Sequence, residues 1–163
     1  MSHKKIGLPL PAPNKIRPSD VLAIPLGCGW FGYARALNDT FFEVLDFVSA
    51  GLSTFAVVCP HDRRFYIQYY EPYSVSPWIY LGKKPFESPD SAWGPPTWFG
   101  TERFHIIDRG QTRRVEQSET VGVVKSQLRH PDAIVDSIVE AFGLDIPLTM
   151  RDRLPSKGTS QPP

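Results

Sequence analysis

The sequence has few cysteines, almost no excess of charge and no long hydrophobic run. Only two cysteines, Cys28 and Cys59, occur in 163 residues, so two free thiols are expected rather than a disulfide framework. The formal net charge is +1, which argues against the strong positive field of a nucleic-acid-binding protein. No apolar run approaches the roughly 20 residues that span a bilayer, so no membrane partner is expected.

The N-terminal residues lack the apolar stretch and small-residue cleavage site of a secretory signal. The sequence therefore predicts a cytoplasmic location. Hydrophobic residues make up 41% and charged residues 21% of the chain, close to globular averages. The length fits one domain and is short for two full-sized ones.

Proline is abundant, with 17 residues, about twice the share expected from a roughly 5% average. Because proline fixes φ and lacks a backbone donor, this content favours short strands joined by turns and excludes a helical bundle. Pro9, Pro11 and Pro13 predict that residues 1–14 are an extended tail. Residues 15–147 are expected to form a single domain, and the polar residues 148–163 a disordered tail.

Residues 21–48 have the pattern of a three-stranded antiparallel meander. The apolar run Val21–Leu26 precedes Gly27–Gly29, where glycine allows a tight hairpin connection. Trp30–Leu37 then alternates between two faces, and Asn38–Asp39 forms the next turn. The aromatic and β-branched run Phe41–Val48 completes the meander.

Several further short elements follow the meander. Residues 83–100 are expected to form a loop because they contain four prolines. A weaker helical pattern covers Thr120–Leu128. The predicted strands are Phe55–Cys59, Phe65–Tyr70, Trp78–Leu81, Phe104–Asp108 and Gln111–Glu116.

One helix is clearly indicated near the C-terminus. Pro131 in its first turn and Asp132 near the positive end of its dipole mark its start, and Gly143 marks its end. The apolar residues of one face are Ile134, Val135, Ile138, Val139 and Phe142. The predicted fold class is α+β, with this helix packed on a twisted antiparallel sheet that is compatible with a small SH3-like barrel.

No catalytic, metal or cofactor site is predicted. Residues 27–32 match the dinucleotide pattern G-x-G-x-x-G, but the helix that must follow it is replaced by an alternating strand. The short ligand spacings that make zinc sites recognisable are absent, and nothing holds a base beside either thiol. The residues considered were Cys28, Cys59, His61 and His105.

Charge is separated along the chain. No lysine or arginine lies between Arg35 and Arg63, whereas residues 103–114 carry a net charge of +3. Two interpretations stay open, namely solvated strand faces and a polarised binding surface. Under the second, a protein partner contacts Trp93 and Trp98 of the proline-framed loop together with Arg103, and a second, acidic patch contains Asp39, Glu43 and Asp46.

The opening of the domain carries a family resemblance. Ile16-Arg17-Pro18-Ser19-Asp20 leads into Val-Leu-Ala-Ile-Pro-Leu, and Gly32-Tyr33-Ala34-Arg35 follows. These segments resemble the start of immunity protein family 26 of bacterial polymorphic toxin systems. Ser19 stands where that family has glycine, and Ala34 replaces its second small residue. Looser matches run in the family order through residues 15–143.

The resemblance implies an α+β protein that binds and neutralises a cognate toxin protein without catalytic residues of its own. The alternative is a small-barrel RNA-binding protein or ribonuclease, because barrels with a similar first strand occur among plasmid-maintenance toxins. The net charge of +1 and the acidic segment before Arg63 argue against a basic RNA groove.

Overall fold

The structure is a computed structural model, and it describes residues 10–11, 15–69 and 78–153. In these ranges, strands dominate and only two α-helices occur, neither long and apolar enough to cross a membrane. The elements are β1 (Leu10–Pro11), β2 (Asp20–Gly27), β3 (Trp30–Ala36), β4 (Phe41–Ala50), α1 (Phe55–Val58), β5 (Arg63–Gln68), β6 (Ile79–Lys83), β7 (Thr97–Phe99), β8 (Phe104–Asp108), β9 (Gln111–Val115), β10 (Val124–Lys125) and α2 (Pro131–Ala141).

The main sheet has six antiparallel strands in the order β1-β6-β2-β3-β4-β5. The predicted meander is confirmed as β2, β3 and β4. The predicted α+β class is also confirmed. The sheet does not close, because β1 and β5 lie at opposite edges and do not pair with each other. The expectation of a small SH3-like barrel is therefore wrong.

Helix α2 covers one face of the main sheet. Ile134 and Ile138 are fully buried against alternate residues of β2, including Leu22 and Ile24. A Cβ on Gly32 would lie 2.9 Å from Ile138 Cγ2, so glycine permits this close approach of helix and sheet. The helix begins after His130, whose Nδ1 accepts a hydrogen bond from the Asp132 N–H.

Helix α1 covers part of the opposite face. Phe55 and Val58 pack with Val21, Ala23 and Tyr33 in a second apolar cluster. The prediction of a strand over residues 55–59 is wrong. A short apolar run suits a buried strand and a single helical turn equally well, and packing decides between them.

The second sheet has the strand order β10-β7-β8-β9. The predicted hairpin of β8 and β9 is confirmed, but the predicted loop over residues 83–100 ends in strand β7. The helix expected at Thr120–Leu128 is replaced by extended β10, which pairs with β7 in parallel. Gly122, with φ of +79°, interrupts the segment before β10 and prevents a continuous helix.

Residues 148–153 are folded onto α2 rather than disordered. Leu148–Met150 form a 3₁₀ turn, and Asp136 Oδ1 accepts hydrogen bonds from Arg151 Nη1 at 3.0 Å and Arg153 Nη2 at 2.7 Å. Burial opposes ionisation of Asp136, yet these two hydrogen bonds lower its pKa overall. The predicted boundary at residue 147 therefore moves to at least residue 153. The tail predictions for residues 1–9, 12–14 and 154–163 lie outside the described residues.

Candidate interaction surface

The structure distributes the six predicted contact residues over separate regions. Trp93 and Asp39 meet where the two sheets join. A Cβ on Gly110 would lie 3.6 Å from Asp39 Oδ1 and 3.7 Å from Trp93 Cη2. Arg109 binds Asp90 at 2.6 Å in the same region. Turns from both sheets therefore converge around the Trp93 ring.

Trp93 helps to attach the second sheet to the main sheet. The Asn38 N–H donates a hydrogen bond to the Ala92 carbonyl at 2.8 Å, just before Trp93. Gly94 lies over the Phe41 ring so closely that an added Cβ would be 2.4 Å from the ring carbons. Because Trp93 is half-buried at this junction, less of its ring is accessible to a partner than the sequence suggested.

Glu43 does not belong to an exposed acidic patch. Its side chain is buried, and its Oε2 accepts hydrogen bonds from Arg35 Nη2 at 2.8 Å and Nε at 3.1 Å. Arg35 is itself only 2% exposed. The prediction that Glu43 contacts a partner is therefore corrected, since this carboxylate is needed to neutralise a buried guanidinium.

Arg35 also holds the loop that follows β6. Its Nη1 donates to the carbonyls of Lys84 and Pro85, and its guanidinium reaches Glu87 at 3.3 Å. Burial alone would lower the pKa of Arg35, but the two glutamates raise it overall. A hydrogen bond from its own backbone N–H, together with Arg35, lowers the pKa of Glu87 from 4.5 to about 2.

Asp46 lies near the C-terminal end of α2, on the exposed part of β4. It binds Arg64 Nη1 at 2.8 Å. Arg64 also donates to the Ala141 carbonyl at 2.7 Å and lies 4.4 Å from the Phe142 ring centroid. Asp46 therefore helps to fix the edge strand β5 to α2, and its charge is already paired within the chain.

Trp98 lies in strand β7 of the second sheet, and Arg103 lies in the turn that follows this strand. The half-buried Trp98 ring lies 5.9 Å from the Phe104 ring and 5.4 Å from Lys125 Nζ. Arg103 is exposed in the turn between β7 and β8. Gly100 makes this tight turn possible, because an added Cβ would be 1.9 Å from the Arg103 carbonyl oxygen.

Three side chains outside the six predicted contact residues form a row across the second sheet. Phe99 of β7 is opposite His105 of β8, and His105 is opposite Arg114 of β9. Directly opposed residues of antiparallel strands share one face. The Phe99 and His105 rings are stacked with centroids 5.0 Å apart and an interplanar angle of 15°. We call Phe99, His105 and Arg114 the second-sheet ladder.

The ladder presents both apolar area and positive charge. Phe99 is 39% exposed, and Arg114 is exposed as well. Among the described residues, neither Arg114 nor Arg103 forms an ion pair or side-chain hydrogen bond, whereas Arg109 and Arg113 bind Asp90 and Glu119. The two-residue turn after Asp108 sets the pairing of His105 with Arg114 and could have been used to predict it. The position of β7 could not be predicted that way.

The residues considered for chemistry are dispersed. No group of three or more His, Cys, Asp and Glu in the described ranges could hold a metal ion. Cys28 is exposed at the β2–β3 hairpin and Cys59 is half-buried after α1, and both are free thiols. The His61 ring stacks on Phe47 with centroids 4.4 Å apart. The glycine pattern at residues 27–32 forms a hairpin between strands, as predicted.

Comparison with known proteins adds no relative, because no family model, no curated protein and no solved structure matches the chain. The fold and its surfaces therefore define the protein only as an α+β chain with an open main sheet and a smaller second sheet.

Proposed function

We propose that this protein is a non-enzymatic protein-binding module that binds and neutralises a cognate bacterial toxin. The second-sheet ladder and Arg103 are its contact surface. The observation that carries the proposal is the exposed Phe99 ring in a row with Arg114, an arginine that has no acid partner among the described residues.

The chemistry of this surface suits a protein partner. Aromatic side chains and arginine are enriched at protein interfaces. Phe99 lies in strand β7 and its ring stacks on His105. Little side-chain conformational entropy is therefore lost when a partner covers the ring. Arg103 and Arg114 can each bind a carboxylate of the partner in a two-hydrogen-bond arrangement. The expected partner surface is therefore apolar at its centre and acidic at its rim.

The toxin-neutralising part of the proposal rests on the resemblance of residues 16–35 to immunity protein family 26. Local geometry supports it at one position. Ser19 has φ of +74°, a conformation that favours glycine, and glycine is what that family has there. The adjacent Asp20 is buried, accepts a hydrogen bond from the Arg17 N–H at 2.8 Å and binds Lys83 at 2.7 Å. The contacts of Asp20 with Arg17 and Lys83 stabilise the turn before β2. They give a structural reason for the Ser19-Asp20 pair in the segment that resembles the family. A toxin encountered inside the cell would require the cytoplasmic location expected from the sequence.

If the proposal is correct, the adjacent gene encodes a toxic domain, and isothermal titration calorimetry with that domain tests the binding. Phe99→Ala and Arg114→Glu are each expected to weaken binding about tenfold or more, as interface hot-spot truncations do. Trp98→Ala tests the original loop prediction in the same series. Val57→Ala is the matched control, because Val57 is 50% exposed on α1, outside the second sheet.

Two results would contradict the proposal in different ways. If the purified protein neither binds the toxic domain nor protects cells that express it, the function is wrong. If it binds but Phe99→Ala and Arg114→Glu have wild-type affinity, the partner uses another surface. Thermal melts of all variants establish that any loss of binding is not a loss of folding.

The RNA-binding alternative has one observation in its favour. A sheet face with stacked Phe99 and His105 rings beside Arg114 could also stack unpaired bases. Two of the nearby arginines, Arg109 and Arg113, are neutralised by acids within the chain, which weakens any attraction for phosphate. Fluorescence anisotropy with single-stranded RNA at 50 and 200 mM salt distinguishes the two functions. Salt-sensitive binding that Phe99→Ala abolishes would favour the alternative.

A further inference from the structure

Strand β5 forms one edge of the main sheet, and over most of its length no residue of the described ranges pairs with its outer side. The order of strands leaves β5 with one strand neighbour, β4. Among the described residues, only its C-terminal end is covered, where the Arg129 N–H donates a hydrogen bond to the Gln68 carbonyl at 3.3 Å. Exposed strand edges are templates for pairing with another extended chain.

The register identifies which backbone groups face outward. The Tyr69 N–H points to β4, because it donates to the Thr40 carbonyl at 2.9 Å. The Gln68 carbonyl points the other way, to Arg129. Since the direction alternates along a strand, Ile67 faces β4 and Tyr66 presents its N–H and C=O at the open edge. An added strand pairs with residues whose N–H and C=O both point away from β4, and Tyr66 is such a residue.

A groove lies beside this edge, between β5 and α2. Its volume is about 460 Å³, and its apolar lining includes Phe65 and Ile67. Ser137 and Glu140 of α2 form the opposite wall. Helix α2 runs antiparallel to β5, because Arg129 lies at the end of β5 and Ala141 binds Arg64 near its start.

The two elements that form the walls have similar lengths. Eleven residues of helix α2 rise about 15 Å, and six residues of strand β5 extend about 17 Å. On β5 the groove is lined by Phe65–Ile67, so it contacts about three residues of an extended chain. It is also polarised, because Arg129 lies at one end and Glu140 lies near the other, where neither forms an ion pair among the described residues.

We propose that the β5–α2 groove binds an extended segment of a partner polypeptide, which adds to the main sheet as a strand beside β5. The backbone of Tyr66 supplies its main-chain hydrogen bonds, and apolar side chains at alternate positions contact Phe65 and Ile67. An acidic side chain of the segment faces Arg129, and a basic one faces Glu140. This site is separate from the second-sheet ladder and does not depend on the proposed function.

The test uses the full chain and a phage-displayed library of random seven-residue peptides. Selection is expected to enrich peptides with alternating apolar residues and opposite charges at their two ends. In the free protein, the Tyr66 amide should exchange with solvent faster than the Ile67 amide. A synthetic peptide of the enriched sequence should slow exchange of the Tyr66 amide about tenfold or more.

Variants of the groove make the result specific. Arg129→Glu should weaken the enriched peptide about tenfold, and replacing the acidic residue of the peptide with lysine should restore binding. Ser137→Arg should block the groove with a long side chain. Arg17→Glu is the matched charge-reversal control, because Arg17 is exposed, lies outside the groove and forms no side-chain hydrogen bond or ion pair among the described residues.

Clear outcomes would overturn the proposal. These are a library that enriches no sequence, a peptide whose affinity is unchanged by both Arg129→Glu and Ser137→Arg, and a Tyr66 amide as protected as that of Ile67 in the free protein. If Ser137→Arg fails to fold, Arg129→Glu and the exchange measurement still decide the question. None of these outcomes would contradict the proposed function, because that function depends on the second-sheet ladder and not on the groove.

Discussion

Replacing Glu43 with alanine should strongly destabilise the fold, although Glu43 lies in a segment whose acids looked like a surface patch. The variant removes the carboxylate that binds Arg35 Nη2 at 2.8 Å and Nε at 3.1 Å. Arg35 is 2% exposed and cannot reach bulk water without displacing the loop above it. The perturbation therefore leaves a buried guanidinium with an unmatched charge.

The expected magnitude follows from what Arg35 retains. Removing one partner of a buried ion pair costs about 3–5 kcal/mol. Arg35 keeps Glu87, at 3.3 Å, and the carbonyls of Lys84 and Pro85. We therefore expect Glu43→Ala to lower the free energy of unfolding by about 3 kcal/mol, the low end of this range. The total stability of a typical domain is about 5–15 kcal/mol.

Urea unfolding monitored by tryptophan fluorescence measures this loss. Asp46→Ala is the matched control, because Asp46 is an exposed acid of the same strand and also binds an arginine, Arg64, at 2.8 Å. An exposed pair contributes about 0–1 kcal/mol. Arg35→Met should cost much less in the Glu43→Ala background than in the wild type, since the unmatched charge has then gone. Equal losses for Glu43→Ala and Asp46→Ala would refute the reasoning.

Three further predictions concern packing and pH. Ile138→Ala should lower the free energy of unfolding by about 2–5 kcal/mol, because Ile138 of α2 is fully buried against the main sheet; a loss no larger than that of the exposed Val57→Ala would show that α2 is not docked. Gly94→Ala should cost about 1–3 kcal/mol in the same assay, because the new Cβ would lie 2.4 Å from the Phe41 ring; wild-type stability would contradict this contact. Glu87 has a pKa lowered from 4.5 to about 2 in the folded state, so its contribution is complete above pH 4.5 and is lost as the pH falls towards 2. Because its side chain is 61% exposed, we expect only about 1 kcal/mol, seen as a smaller fall in Tm between pH 5 and 2 for Glu87→Gln than for the wild type.

Local patterns were sufficient for the elements whose structure depends on near neighbours. The meander of β2, β3 and β4 follows from alternation and from turn residues, because a hairpin is set by a few adjacent positions. Helix α2 follows from apolar spacing between Pro131 and Gly143. The register of His105 with Arg114 also follows from the short turn between β8 and β9.

Charge and aromatic content did not reveal which side chains are accessible. Asp39, Glu43 and Asp46 are close in sequence and look alike, yet Asp39 is exposed at the sheet junction, Glu43 is buried and Asp46 is exposed but paired. The difference depends on arginines of other strands, because Arg35 binds Glu43 and Arg64 binds Asp46. Amino-acid composition carries no information about such cross-strand partners.

The sequence by itself thus determined the class, the meander and the C-terminal helix, whose signals lie within a few residues of one another. The tertiary structure decided whether Phe55–Val58 is a helix, because both faces of the main sheet had to be covered. It also decided that Phe99 pairs with His105 and that no strand of the described residues pairs with the outer edge of β5. Those outcomes depend on contacts between distant segments, and the free energy of such contacts appears only when the whole chain packs.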